Sequence, residues 1–197
     1  MPCPPCTEPC EVSCNHSKCD KLCHEPCVPC AEDCFWSCPH RGRCPLPCAV
    51  PCDLLPCSER CAKMLTCGHR CPSICGEVCR GVAYCQICAH PTIKGMVVDF
   101  ILLSTFEEVD LNKDPCIIPP CGHILTLESI DGHMSMSDFY TMNNKGSIVD
   151  LKNSAEPFSA SEMKSCPTCR GPLRNLNRYS RIVRRALIDK ATKKFIV

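Results

Sequence analysis

The sequence predicts a small, irregular, metal-stabilised protein in which a repetitive cysteine-rich array precedes an α+β module and a C-terminal helix. Three observations support this fold class. The chain has 25 cysteines in 197 residues, histidines recur inside the cysteine spacing, and the first ninety residues or so contain few aliphatic or aromatic residues. Such a segment cannot bury enough apolar surface to fold unaided, so bound metal must supply much of its folding free energy.

The cysteines could form disulfides in an oxidising compartment or thiolate–metal sites in a reducing one. Their number is odd, the N-terminus lacks the apolar run of a secretory signal, and histidines follow cysteines closely, as in Cys14-Asn15-His16 and Cys67-Gly68-His69. A disulfide framework gives histidine no role, whereas zinc accepts thiolate and imidazole together. We therefore predict zinc as the cofactor and an intracellular protein, nuclear or cytoplasmic.

Charge and hydropathy exclude several partners. The net charge of +1 gives no global electrostatic argument for nucleic acid, although basic residues cluster between Arg170 and Lys194. The longest apolar stretch, Met96 to Leu103, contains Asp99 and is too short to span a bilayer, so we expect no membrane partner.

No nucleophile–base arrangement stands out, and nothing marks an open metal coordination position. We expect no catalytic residue and no small-molecule substrate.

The cysteine-rich part is an internal repeat with a period of about 24 to 27 residues. Many prolines prevent long helices, so we expect short turns around metals, stacked end to end. We expect every repeated cysteine and histidine to be a zinc ligand. Three copies read Cys3, Cys6, Cys10, Cys14 and His16; Cys27, Cys30, Cys34, Cys38 and His40; and Cys52, Cys57, Cys61, Cys67 and His69. The histidines are followed by Cys19, Cys23 and Cys27; by Cys44, Cys48 and Cys52; and by Cys71, Cys75 and Cys79.

This repeat resembles the X-box-binding nuclear factor type of zinc finger, whose units read Cys-x-His-x-Cys-x3-Cys-x3-Cys. The stretch from Cys67 to Cys79 matches that spacing, and the two earlier copies carry one or two extra residues after the histidine. The resemblance covers roughly residues 1 to 80. The family name implies binding to RNA or DNA, but this segment offers few basic residues for phosphates and few aromatic residues for base stacking.

The composition changes after Cys85. Apolar residues between 96 and 111 predict a helix, and residues 140–164 predict a polar loop or hairpin insertion. We divide the chain into the zinc-finger array (1–80), a second zinc module (81–172) and a basic amphipathic helical tail (173–197). The tail has an apolar stripe at Leu173, Leu176, Tyr179, Val183 and Leu187, and its other faces carry arginines 174, 178, 181, 184 and 185, which we expect to be solvated.

Three motifs of the second module occur in the order of a RING domain. They are Cys85-Gln86-Ile87-Cys88, Cys121-Gly122-His123 and Cys166-Pro167-Thr168-Cys169. The resemblance implies a RING-like α+β module with two zincs bound in a crossed arrangement, one of them by Cys121, His123, Cys166 and Cys169. The other site departs from the pattern, because Thr126 and Ser129 stand where cysteines are expected.

We predict that Cys116 and His133 complete this second site with Cys85 and Cys88, which gives Cys3His coordination. The alternative is that Cys85 and Cys88 belong to the last finger with Cys79. The RING would then hold a single metal.

The RING resemblance also implies docking of a ubiquitin-conjugating enzyme, with contacts at Ile87, Pro167 and Arg170. Because one metal site is altered, the sequence leaves open whether ubiquitin transfer is retained. The alternative function is a non-catalytic scaffold or nucleic-acid-binding fragment. Fingers followed by this module, with Asp-Gly-His-Met-Ser-Met at 131–136, resemble the C-terminal region of fungal helicases with this finger type. That resemblance implies association with RNA processing, although these residues contain no helicase motif.

Overall fold

The computed structural model describes residues 6–10, 12–14, 16–144, 146–152 and 164–193, so the predicted ligand Cys3 lies outside the described residues. Its strands are β1 (Ser37–Cys38), β2 (Gly42–Arg43), β3 (Cys116–Ile117), β4 (Leu125–Thr126), β5 (Tyr140–Met142) and β6 (Ile148–Leu151). Its α-helices are α1 (Pro91–Lys94), α2 (Leu127–His133), α3 (Met136–Phe139) and α4 (Ser180–Lys193). Short elements, clustered cysteines and a C-terminal helix confirm the predicted fold class. None of the described helices is long and apolar enough to cross a bilayer.

In describing the structure we use the name array for residues 6–88, a slightly different range from the predicted 1–80. The array repeats one backbone arrangement three times. In each unit two cysteine N–H groups donate to carbonyls on the facing segment and close a hairpin-like turn. The second unit also contains the short antiparallel pair of β1 and β2. The equivalent bonds run from Cys10, Cys34 and Cys61 to Lys21, Leu46 and Ser73, and from Cys23, Cys48 and Cys75 to Glu8, Glu32 and Glu59.

We likewise use the name module for residues 96–179, where the predicted range was 81–172. The module is built on an antiparallel hairpin followed by a helix. Strand β3 pairs with β4, with Ile117 opposite Leu125, and α2 begins directly after β4. The Thr126 side chain accepts a hydrogen bond from the Ser129 N–H and caps α2. The predicted apolar stripe of the tail packs on this unit: Leu173, Leu176, Tyr179 and Val183 are buried in one core with Ile117, Leu125 and Ile130, and Leu187 is partly buried against it.

The predicted helix over residues 96–111 is wrong. Val98 and Phe106 are buried in a second core, but Ile101 and Leu102 between them are 73% and 75% exposed. Asp99 accepts hydrogen bonds from the N–H groups of Ile101 and Leu102, which closes a tight turn in place of a helix. The apolar spacing therefore comes from a loop that is anchored at both ends.

The predicted insertion begins as a hairpin. Strand β5 pairs antiparallel with β6, with a register shift between Thr141 and Met142. Residues 153–163 lie outside the described part of the chain.

The predicted solvation of the tail arginines is wrong for those that face the array. Arg178 is 2% exposed and forms an ion pair of 2.6 Å with Asp131, while it also donates to the Cys57 carbonyl. Arg181 donates to the Cys52 carbonyl, and Arg184 donates to the Val50 carbonyl. Helix α4 and the residues before it therefore join array and module across the predicted boundaries, which remain predictions.

Candidate metal centres

In the part of the chain that the structure describes, four clusters of three cysteines and one histidine bring their donor atoms within 4.8 Å of one another. In each cluster a cysteine sulfur lies 3.2 to 3.8 Å from the histidine Nδ1. Zinc bonds of about 2.3 Å to sulfur and 2.0 Å to nitrogen in a tetrahedron place the two ligand atoms about 3.5 Å apart. We call these clusters the tetrads: Cys14, His16, Cys30 and Cys48; Cys38, His40, Cys57 and Cys75; Cys67, His69, Cys85 and Cys88; and Cys121, His123, Cys166 and Cys169.

The finger tetrads interlock along the sequence. Each takes a Cys-x-His pair from one repeat and two cysteines from farther along the chain, as Cys14 and His16 do with Cys30 and Cys48. Ligands of the next tetrad therefore lie between ligands of the previous one. This pairing was not predicted, although the similar steps from Cys14 to Cys38 and from Cys48 to Cys75 are visible in the sequence.

The module tetrad is formed by two tight turns. Gly122, between Cys121 and His123, has a φ of +84°, and a Cβ there would lie 2.8 Å from the Tyr84 hydroxyl. In the second turn the Arg170 N–H donates to the Cys166 carbonyl, and the Cys166 N–H donates to the Gly171 carbonyl. These turns bring together the four residues for which the RING resemblance implied a shared metal.

Cys85 and Cys88 lie with Cys67 and His69, so the structure does not bring them to Cys116 and His133. The alternative expectation placed them in the last finger, and that is where they lie, although their partners are Cys67 and His69 rather than Cys79. Cys116 is fully buried in the apolar core around Val98 and Phe106. His133 Nε2 lies 2.8 Å from the Ser165 carbonyl oxygen, so its ring anchors the segment that leads to Cys166.

A hydrogen-bond network surrounds Thr126 and Ser129, the two positions at which the RING resemblance implied cysteines. The Ser129 hydroxyl donates to Asp99 over 3.2 Å and accepts from the Phe100 N–H. Thr126 N–H donates to the Val98 carbonyl. Partial burial alone would raise the pKa of Asp99, but hydrogen bonds from Leu102, Ile101 and Ser129 outweigh it and lower that pKa. The Ser129 hydroxyl, the Asp99 carboxylate and the Phe100 N–H thus join the 99–104 loop to α2.

Among the described residues three further clusters contain cysteine sulfurs alone, and we call them the triads. The first is Cys10, Cys19 and Cys27. In the middle triad the sulfurs of Cys34 and Cys52 lie 4.0 Å apart, and Cys44 interacts with both. In the third triad the sulfurs of Cys61 and Cys79 lie 3.6 Å apart, and the Cys71 side chain interacts with that of Cys79. A metal about 2.3 Å from each sulfur fits these spacings.

The remaining candidate ligands occupy other positions. His24 Nδ1 lies 2.7 Å from the Cys6 carbonyl oxygen, and Cys23 contributes its N–H to the first hairpin. His90 accepts a hydrogen bond from Thr92 N–H at the start of α1.

Metal binding has to displace protons from several buried thiols. Burial, followed by the charges of Cys38 and Cys57, raises the pKa of Cys75 to about 12. Burial also raises the pKa of Cys48 to about 12, against the opposing charge of Arg184. Because zinc binds the thiolate, its binding to these tetrads releases protons and weakens as the pH falls.

The residues that the RING resemblance assigns to a ubiquitin-conjugating enzyme lie beside ligands of two different tetrads. Ile87 is 61% exposed, but it lies between two ligands of the third finger tetrad. Pro167 and Arg170 are exposed in the second turn of the module tetrad.

Comparison with known proteins supports the finger assignment. The chain is 28% identical over 149 residues to the NFX1-type zinc finger-containing protein 1 homolog of Caenorhabditis elegans. The match covers 76% of the chain but 5% of that protein, so the chain spans about one twentieth of the length of this curated relative. No protein-family model and no solved structure matches.

Zinc is the cofactor. The tetrads supply the ligand number and type that structural zinc requires, and the similarity supports fingers of the NFX1 type.

Proposed function

We propose that the chain is a zinc-dependent adaptor whose module docks a ubiquitin-conjugating enzyme while the array recognises a further partner. The observation that carries this proposal is a pair of exposed loops attached to the same helix. One is the loop 99–104, which Ser129 of α2 holds through Asp99 and Phe100. The other is the Cys166–Arg170 turn, which begins beside the bond between His133 of α2 and Ser165.

The first loop offers a protein partner an apolar surface, and the second offers a proline and a positive charge. Ile101, Leu102 and Leu103 are 68–75% exposed in the first loop, and Pro167 and Arg170 are exposed in the second. Ser129 and His133 are four residues apart in α2, so their positions differ by about one turn, or roughly 6 Å. We therefore assign the apolar contact, which the RING resemblance placed at Ile87, to Ile101 and Leu102.

Backbone strain supports a functional role for these loops. Three described non-glycine residues have positive φ: Leu103 at 56°, Ser135 at 52° and Arg170 at 59°. Two of them lie in the proposed docking loops. Left-handed backbone at a residue with a side chain costs free energy and concentrates at binding sites.

The test is discharge of ubiquitin from the thioester of a panel of conjugating enzymes to free lysine, in the presence of the zinc-loaded chain. We expect faster discharge with at least one enzyme, and loss of the acceleration for Ile101→Ser/Leu102→Ser and for Arg170→Ala. Ile87→Ser is the control, because it removes an apolar residue that is also largely exposed, at 61%, but lies outside the module. Absence of both binding and discharge across the panel, with zinc content intact, would contradict the proposal.

A second candidate is single-stranded nucleic-acid binding by the array. A groove of about 440 Å³ lies between the first two units and α4, and its lining includes Lys18, Lys21, Arg174 and Phe35, whose side chain is 67% exposed. An aromatic face and flanking cations are the elements that such binding uses. Affinity for an oligonucleotide should then fall with salt and with Phe35→Ala; a flat salt response would exclude this candidate. Association with a helicase remains part of this second proposal.

A further inference from the structure

The triads and the tetrads differ in what they offer a metal. A structural zinc site is almost always four-coordinate. Each tetrad has four protein donors, whereas the described residues give the first triad three within the same limit of 4.8 Å. The middle triad shows this difference most sharply, because of what encloses it.

The middle triad is sealed from solvent. Cys34, Cys44 and Cys52 are 0%, 2% and 0% exposed. Their cluster includes buried Trp36, with Leu46 and Leu54 packed against it. This apolar enclosure keeps water away from the sulfurs, so a solvent molecule is a poor candidate for the fourth ligand of zinc.

The described cysteines and histidines leave no fourth donor for this triad. His16, His40 and His69 belong to the finger tetrads, and His24 is bonded to the Cys6 carbonyl in the first unit. In the first unit His24 directly follows Cys23. At the equivalent positions the second unit has Ala49 after Cys48, and the third has Gly76 after Cys75. Repeat position therefore supplies no imidazole to the middle triad.

A fixed cation borders the sulfurs. Arg184 Nη1 lies 3.2 Å from Cys34 Sγ and the same distance from the Val50 carbonyl oxygen, and Nη2 lies 3.9 Å from Cys48 Sγ. Three thiolates around a monovalent metal leave a net negative charge in an apolar site. A guanidinium beside one sulfur offsets part of that charge, because arginine stays protonated in proteins.

We propose that the middle triad is a three-coordinate site for a soft monovalent cation, with Cu⁺ as the representative ion, and that it is chemically distinct from the zinc tetrads. Thiolates suit soft Cu⁺ as well as zinc, so coordination number separates the two ions. Three sulfurs match a three-coordinate monovalent ion, whereas structural zinc takes four ligands. This inference does not depend on the docking of a ubiquitin-conjugating enzyme.

The chain carries its own reporter for this site, because Trp36 is the single tryptophan. The experiment adds Cu⁺ from a buffered complex, without oxygen, to the zinc-loaded chain, and records tryptophan emission and released zinc together. We expect the first equivalent to quench Trp36 without releasing zinc. Cys44→Ala should lose this response, whereas Cys71→Ala, the corresponding change in the third triad, should keep it.

Two measurements extend the test. Native mass spectrometry should find the same number of zincs in Cys44→Ala as in the unaltered chain. X-ray absorption at the copper edge, on the unaltered chain with one equivalent of Cu⁺, should show three sulfur neighbours and no nitrogen. The second measurement needs no variant. Together with quenching of Trp36 by the same equivalent, it assigns the ion to the middle triad even where Cys44→Ala folds poorly, because Trp36 belongs to that cluster.

Three results would overturn the proposal. Loss of one zinc in Cys44→Ala would make the middle triad a zinc site. Release of zinc by the first equivalent of Cu⁺, with Trp36 unaffected, would mean that Cu⁺ attacks the tetrads and the triad is packed thiol. A nitrogen neighbour of copper would place the ion at a histidine-containing cluster.

Discussion

The array and the module differ in the kind of residue that they bury. The buried groups of the array are mainly its cysteines with Trp36, whereas the module buries aliphatic and aromatic residues such as Ile117, Leu125, Ile130 and Tyr179. The module can therefore hold its 99–104 loop on α2 with an apolar core and the Asp99–Ser129 hydrogen bond. The comparison teaches that a chain with an apolar core depends less on clustered cysteines than one without it.

Removal of zinc should separate the two regions most strongly. With a chelator in excess, we expect the amides of Cys10, Cys34 and Cys61 to lose protection from hydrogen exchange, while those of Thr126 and Leu127 keep much of theirs. A structural zinc contributes about 10–16 kcal/mol of apparent free energy in finger peptides, and the array has little else to replace it. Exchange measured by mass spectrometry resolves the segments. Simultaneous, equal loss of protection in both regions would refute the contrast.

Arg178 tests the connection between the regions. Arg178→Met removes one member of a buried ion pair and leaves Asp131 without its partner, so the free energy of unfolding should fall by about 3–5 kcal/mol. Arg43→Met is the matched control, because the Arg43–Asp33 pair is 63% and 82% exposed and should contribute about 0–1 kcal/mol. Denaturant unfolding in excess zinc measures both. Equal effects of the two substitutions would mean that Arg178 does not join the regions.

Ser129→Ala tests the hydrogen bonds that stand where a RING has metal ligands. It leaves the Phe100 N–H and Asp99 each without one partner and should cost about 1 kcal/mol. The contribution of Asp99 is present at neutral pH, because its lowered pKa means that stability is lost only as the pH falls from the ordinary value of 3.8 through the folded-state value. Ser137→Ala, at an exposed position of α3, is the control. An effect no larger than that of Ser137→Ala would remove this network from the account.

Leu103→Gly should have the smallest effect, and of opposite sign. Its φ of 56° suits glycine, so relief of about 1–2 kcal/mol of strain exceeds the entropic cost of glycine, about 0.5–1 kcal/mol. The free energy of unfolding should rise by about 0.5 kcal/mol, while docking of a conjugating enzyme weakens. Leu102→Gly in the same loop has no strain to relieve and should cost about 0.5–1 kcal/mol. Thermal unfolding of the pair gives the comparison. Destabilisation by both changes would argue against strain stored in this loop.

Sequence reasoning reached the fold class because cysteine density, histidine placement and repeat spacing are local signals. It also grouped Cys121, His123, Cys166 and Cys169, because the order of a RING specifies its crossed pairs. It did not pair Cys48 with Cys14, since evenly spaced thiols offer many pairings and only the folded chain selects one. It placed Cys116 in a metal site, whereas the burial of that residue beside Phe106 depends on a core assembled from distant segments.

The central claim is that Cys85 and Cys88 complete a finger tetrad and leave the module with one zinc. Native mass spectrometry of two variants tests it most directly. Cys67→Ala should lose one zinc, because Cys67 shares a tetrad with Cys85 and Cys88, whereas Cys116→Ala should keep the zinc count of the unaltered chain. Loss of a zinc from Cys116→Ala, with none lost from Cys67→Ala, would contradict the account and restore the two-metal RING.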